Sequence, residues 1–309
     1  MPPAKNVNER SKKTLLSRNL TFARFAIFTL ALADSTNAFC QNAAARAANP
    51  QARFLLAIDE GGAANADASE TFRRHEEFSQ IVGKVLGLPV TIVVAVRDRN
   101  SLLDALKRQS YALLFARPND VPAEAIRDYG YQPVVTEKEP ARALFIVKKD
   151  SPLKSITEVK GKSILTPDRY SSTWRIANAM LRDNKISMAN EKVRTMHDDA
   201  AIGWSMESGF FDVGVINSIS GVGRTWEKNG GRVIARSPEL PNMPLIASPE
   251  LSAARIAKLR AALLALNSSE NGQAVLKRIG LTGFRETSSQ EFLDFLKWLG
   301  DLEVDKRQR

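Results

Sequence analysis

Ser171-Ser172-Thr173 puts three hydroxyls in a row, after the strand Ser163–Leu165 and the loop Thr166-Pro167-Asp168-Arg169-Tyr170, at the start of a helical stretch. Hydroxyls at the mouth of a helix suit one kind of chemistry. The first turn of a helix leaves N–H groups without partners and carries the positive end of the helix dipole, so it can hold an oxyanion without reacting with it. The plainer alternative is that Ser171 or Ser172 only caps the helix. A serine nucleophile would need a base. Of the two histidines, His75 and His197, only His197 is a candidate, and no carboxylate in the sequence is clearly placed to orient it. No CxxC or paired-histidine metal spacing occurs. Ser220–Arg224 (SGVGR) is not a nucleophile elbow, and its glycines lack the context of a dinucleotide loop. The residue types favour binding over catalysis, with no metal and no cofactor.

The elements that must position these hydroxyls come in two similar runs. Arg53–Ile58 reads as a buried strand. Thr71–Leu86 reads as a helix with apolar positions at Phe72, Phe78, Ile81, Val82 and Val85, ending at Gly87. Val90–Val96 is a nearly continuous apolar strand, as in a parallel sheet covered on both faces. A helix capped by Asn100 or Ser101 and a strand Tyr111–Phe115 follow. The pattern restarts at the strand Leu144–Val147, then Ser163–Leu165, helix Thr173–Arg182, strand Lys192–Met196, helix Asp199–Ser208 and strands Phe211–Ile216 and Arg232–Ala235. Helices over Pro249–Leu266, Ser269–Ile279 and Gln290–Leu299 close the chain. This predicts an α/β protein of two lobes, each a doubly wound, mostly parallel sheet, joined by a hinge of two crossovers. Lobe 1 is expected over 52–146 plus 243–309 and lobe 2 over 147–242.

Residues 1–38 have a basic start and a short apolar core, Phe25–Ala33, and Thr36-Asn37-Ala38 offers a cleavage site. That is the pattern of a secretory signal peptide, the run being too short to span a membrane. A flexible leader over 39–51 carries Cys40, the one cysteine. The full chain has a net charge of +10, and with six basic and two acidic residues in 1–38 the remainder keeps +6. Basic residues are scattered among acids, as in KEPARALFIVKKD, and do not form a block with interleaved aromatics. A nucleic-acid partner is therefore not expected, whereas small anions are.

In open α/β sheets ligands sit beyond the carboxyl ends of the strands. Asp59, Glu60, Arg117, Thr166, His197 and Asn217 share that address. Arg117 can grip a phosphonate, sulfonate or carboxylate by two parallel hydrogen bonds, or serve in a structural ion pair. His197 can donate to a ligand or cap a helix. Glu60 can take a protonated anion or an amine, or pair with Arg73 or Arg74. Asp212 opens its strand and reads as structural, and Trp174, Trp204 and Trp226 read as packing residues.

The order VKKDSPLKSITEVKGKSI, TPDRYSST before a helix, MHDDAAIGWSMESGFFDVGVIN and a GFRETSSQEFLDFL tail resembles the phosphate, phosphite and phosphonate-binding proteins of ABC importers, the PhnD-like group of type II periplasmic solute-binding proteins. The resemblance runs from Phe54 to Leu299 and is strongest from Leu144 to Asn217. It implies a two-lobed clamp with the ligand in the cleft, a permease in the inner membrane as partner, and a periplasmic monomer. It puts Ser171, Ser172 and Thr173 on the anion, with His197 ahead of the next helix and Asn217 in place of an acid. The chain departs from the group in lobe 1. Asp59-Glu60-Gly61-Gly62 stands where an aromatic is expected, Val121 stands near the position of a tyrosine, and Arg117 replaces a glycine. The expected function is capture of a small oxyanion for import, by contacts from Ser171, Ser172, Thr173, His197, Asn217, Arg117 and Glu60. The alternatives are a ligand-sensing subunit of a signalling system, or a binder of a sulfonate or carboxylate.

Overall fold

The computed structural model describes residues 54–60, 67–95, 98–117, 119–169 and 171–300. The expected signal peptide, the leader with Cys40, Gly61, Gly62, Val96, Pro118 and Tyr170 lie outside these residues.

Strand β1 (Phe54–Asp59) buries Leu56, Ala57 and Ile58 and runs parallel to β2 (Val90–Val94) on one side and β3 (Leu113–Ala116) on the other. Between β1 and β2, helix α1 (Ala68–Leu86) begins at Asp67, whose carboxylate accepts the Ser69 N–H, and ends at Gly87, whose φ of 69° is left-handed and favours a residue without Cβ. Its buried face carries His75, Phe78, Val82 and Leu86, whereas Phe72 points outward. Helix α2 (Arg99–Lys107) is capped by Asp98, not by Asn100 or Ser101, because the Asp98 carboxylate accepts both their N–H groups. Two elements absent from the sequence reading follow: α3 (Asp120–Tyr129) and β4 (Gln132–Glu137).

Strand β5 (Ala143–Val147) belongs to a second sheet, where it runs antiparallel to β8 (Val213–Asn217) and β9 (Arg232–Arg236). Strand β6 (Ser163–Pro167) leads into α4 (Ser172–Asp183), β7 (Lys192–Met196) into α5 (Asp199–Glu207), and β8 into the short α6 (Gly221–Thr225). Both β7 and β8 are parallel to β6. The chain returns through β10 (Leu245–Ala247), antiparallel to β3 and β4. Helices α7 (Ala253–Ala265) and α8 (Glu270–Arg278) then pack on α1, β11 (Phe284–Arg285) pairs with β4, and α9 (Ser289–Leu299) packs on α3 and α4. The strand orders are β11-β4-β10-β3-β1-β2 and β7-β6-β8-β5-β9.

The first crossing between sheets therefore lies at 138–142, before the expected boundary at 146, because β5 hydrogen-bonds on both edges within the second sheet. The return lies at 237–244. The two crossings run side by side. Ala141 and Leu240 exchange backbone hydrogen bonds of 3.2 and 3.1 Å, and the Ala143 N–H donates to Ser237 Oγ at 3.1 Å. Trp226 is buried as expected, and Trp174 packs half-buried against the core, while Trp204 stands 61% exposed against Phe210. Asp212 accepts from the Ser163 N–H and hydroxyl at the start of β6, a structural tie that holds its carboxyl below the ordinary range.

In the first sheet Phe78 stacks on Phe115 with centroids 5.3 Å apart and lies 6.1 Å from Phe284. All three rings are buried. Phe78→Ala removes a ring shared by α1, β3 and β11, and the expected loss is about 3–5 kcal/mol of unfolding free energy. Urea unfolding reads it, and a loss below about 1 kcal/mol would show that the site collapses around the smaller side chain.

Candidate functional site

The parallel strands bring their carboxyl ends to one edge of each sheet. In the second sheet these ends are Pro167, Met196 and Asn217. Thr166, one residue earlier, is fully buried, and its hydroxyl donates to the Pro167 carbonyl at 3.0 Å. The Ser171 hydroxyl accepts the Trp174 N–H at 3.1 Å, so Ser171 is the cap of α4. The Ser172 hydroxyl is different: it donates at 3.0 Å to Asp120 Oδ1, on the first turn of α3, which follows a strand of the other sheet. Thr173 is buried, and its hydroxyl has no hydrogen-bond partner among the described residues. His197 is 88% exposed, and its Nδ1 lies against a carboxylate oxygen of Asp168. The sequence reading found no carboxylate to orient His197, and Asp168 is one. No described hydroxyl bonds to the other ring nitrogen.

Asn217 closes β8 and turns its side chain back on its own loop, Oδ1 accepting the Ile219 N–H at 3.1 Å. Its backbone N–H donates to Asp199 Oδ2 at 2.9 Å. Burial pushes the Asp199 carboxyl up, against the pull of that N–H and of the Ser220 hydroxyl. Helix α6 starts so close that a Cβ on Gly223 would collide with the Asn217 carbonyl oxygen. Glycine at 223 thus serves packing.

In the first sheet Glu60 accepts from Arg74 and, at 3.3 Å, from the Thr71 hydroxyl, and His75 Nε2 lies 3.8 Å from its other oxygen. The ion-pair alternative for Glu60 is the arrangement present. His75 is fully buried, with Nδ1 2.9 Å from the Thr71 carbonyl, which only accepts, so Nδ1 carries a proton. Burial lowers its tendency to take up a second one. Arg117, 30% exposed, donates through Nε to Asn242 Oδ1 at 3.0 Å and through Nη2 to Glu137 Oε2 at 3.4 Å. Its remaining nitrogen, Nη1, has no partner among the described residues. Arg117 thereby ties the end of β3 to the end of β4 and to the return crossing. Glu137 ends β4, and Asn242 belongs to the return crossing and also donates to Glu137. Just beyond, Glu139 takes a bidentate pair from Arg224 of α6 at 2.6 Å on each arm.

Sequence reasoning missed one buried group with several charged and polar partners. Asp120 is 0% exposed. Besides Ser172 its carboxylate accepts from Arg99 Nε at 3.3 Å and from Arg175 Nη1. Arg99 and Arg175 also meet Glu124, one turn along α3. Arg99 opens α2, Asp120 opens α3 and Ser172 opens α4, so three helix N-termini converge on one carboxylate. Beside it Asn119 is buried, and its carboxamide oxygen accepts no hydrogen bond among the described residues. The available signal was Asn119-Asp120 after a strand, a helix-start pattern. Nothing local marked Arg175 as its partner.

The model of the family described as ABC transporter, phosphonate, periplasmic substrate-binding protein matches residues 61–292. The chain belongs to this family. No curated protein matches it by sequence. Among solved structures it is similar to XAC2383 from Xanthomonas citri bound to ATP, with a TM-score of 0.65 at 16% identity, covering 80% of this chain and 96% of that one. It is similar also to PhnD1 from Prochlorococcus marinus in complex with methylphosphonate, with a TM-score of 0.61 at 14% identity, covering 81% and 97%. A phosphonate-transporter binding component, PA3383 from Pseudomonas aeruginosa, gives 0.56 at 16% identity over 79% and 84%. At these identities the likeness is one of fold, the type II periplasmic binding protein fold of two mixed α/β sheets.

Glu137 gives this family member a pH signature. Burial raises its carboxyl above the ordinary 4.5, against the pull of Arg117 and of the Thr282 N–H. A carboxyl raised in the folded state favours folding below 4.5 and loses that contribution as pH climbs through the raised value. Glu137→Gln removes the loss. The stability of the variant relative to the parent is therefore expected to rise as pH climbs above 4.5, read from urea midpoints. A flat or falling difference would contradict a raised Glu137.

Proposed function

We propose that this chain is the periplasmic solute-binding component of an ABC importer, and that it captures a small oxyanion of the phosphonate class between its two sheets and presents it to a membrane permease. The task is binding and release, not turnover. The observation that carries this reading is the mouth of α4. There a serine hydroxyl and a guanidinium, reinforced by a second guanidinium, hold an oxyanion of the chain itself, the Asp120 carboxylate. A phosphonate oxygen makes the same demands: hydroxyl and guanidinium donors at a helix N-terminus. The unpartnered Asn119 carboxamide oxygen would accept from the hydroxyl of a singly protonated oxyanion. Arg117 has Nη1 free to reach a second oxygen. A ligand stabilises closure only through contacts it makes in the closed state, and donors from both sheets meet that condition.

Titration calorimetry with methylphosphonate, phosphite, phosphate, methanesulfonate, acetate and ATP tests the reading. Saturable binding of methylphosphonate or phosphite, tighter than of acetate and methanesulfonate, is expected. Binding by none of them, or by ATP alone, would overturn it. Arg117→Ala removes a charge-assisted contact, and the expected loss is about 1.5–3 kcal/mol in binding, roughly a tenfold to hundredfold weaker Kd. Unchanged affinity would confine Arg117 to its tie with Glu137 and Asn242.

A further inference from the structure

Asp120 and the three charged side chains around it form a closed set. Asp120 and Glu124 supply two negative charges, and Arg99 and Arg175 two positive ones. Asp120 itself is fully buried and Arg175 nearly so. Charges this deep persist only when paired and hydrogen-bonded. The set divides unevenly between the sheets. Ser172 and Arg175 belong to α4, which follows β6 in the second sheet, whereas Asp120, Glu124 and Arg99 follow strands of the first. One side brings the anion and the other brings a hydroxyl and a guanidinium to receive it.

Asp120 sits in the first turn of α3, where the helix dipole favours a carboxylate, but its side-chain hydrogen bonds come from outside that helix. Its neighbour Asn119 makes no side-chain cap, and the carboxylate instead accepts from Ser172 Oγ, Arg99 Nε and Arg175 Nη1. Those donors would serve a bound oxyanion equally well. They are already engaged, and the set is neutral, so a second anion beside Asp120 would meet no uncompensated positive charge. The mouth of α4 has room in its electrostatics for one anion.

We infer that Asp120 is a resident anion: the chain's own carboxylate fills the oxyanion place at the mouth of α4, fastens the two sheets together when no solute is bound, and must leave before a solute oxyanion can take Ser172 and Arg175. This deepens the proposed function and rests on it for the identity of the competing solute. The occupancy of the mouth by a carboxylate does not depend on that solute. Asp120 then sets affinity by competition: the tighter its hold, the higher the solute concentration needed to displace it.

Three variants test this. Asp120→Ala vacates the place while leaving Arg99, Arg175 and Ser172 to receive an anion from solution. Its melting temperature is expected to fall below that of the parent and to recover saturably with added acetate or formate. Potassium chloride at equal ionic strength should not restore it, nor should acetate rescue Asp120→Ala combined with Ser172→Ala to the same extent. Rescue shows that the place accepts an anion from solution, and absence of rescue overturns the inference. Asp120→Asn keeps the shape, removes the charge and guards against failure of the alanine variant to fold. It is expected to bind methylphosphonate at least tenfold more tightly than the parent. Equal or weaker binding by Asp120→Asn, with the parent binding normally, overturns the competition. If the parent binds no oxyanion, the proposed function fails, while acetate rescue of Asp120→Ala still upholds the resident anion.

Discussion

A carboxylate with no access to water must find its partners inside the protein, and Asp120 finds two of them on a helix of the opposite sheet. That requirement governs much of the arrangement. Arg175 reaches Asp120 from the first turns of α4 and turns its other arm to the Gly300 carbonyl, just past α9. Arg182, further along α4, donates to the carbonyls of Trp298 and Leu299. The C-terminal helix thus braces the helix that carries the hydroxyl run, and α9 packs on both α3 and α4. Removing either partner from such a buried pair strands the other, at a cost on the order of 3–5 kcal/mol, which gives the contact its leverage over how the sheets meet.

The crossings form the second constraint. Their residues bond to each other through Ala141 and Leu240, and Arg142 fastens the first crossing to the second through the Ser237 carbonyl and Glu239. Arg117 joins this ribbon from the end of β3. A group that engaged its free nitrogen would touch a residue already bonded to Glu137, at the end of β4, and to Asn242, on the return crossing.

Much of the fold was legible in the sequence because buried parallel strands are continuous apolar runs. Leu55–Ile58, Val90–Val94 and Leu144–Val147 announced themselves in that way. Two neighbouring elements did not. Pro122 sits in the first turn of α3, where its missing N–H does no harm, but it masks the helical pattern. Pro133 similarly masks β4. The strand tolerates it because β11 pairs only with Thr136 and Glu137, leaving Pro133 without a neighbour on that side, and because the register with β10 shifts nearby. That Ser171-Ser172-Thr173 open a helix just after a strand was legible, but the different partners of these hydroxyls were not. Ser171 and Ser172 are adjacent and chemically alike, yet one caps its own helix and the other crosses to Asp120. Only tertiary geometry separates them. Asp120 and Arg175 stand 55 residues apart, and no periodicity connects them.

If a solute and Asp120 occupy the mouth of α4 in turn, a crystal structure of the protein with methylphosphonate shows the exchange most directly. Phosphonate oxygens are expected within hydrogen-bond distance of Ser172 Oγ and the Arg175 guanidinium, with the Asp120 carboxylate moved off both. A bound phosphonate elsewhere, with Asp120 still on Ser172 and Arg175, would contradict a shared oxyanion site.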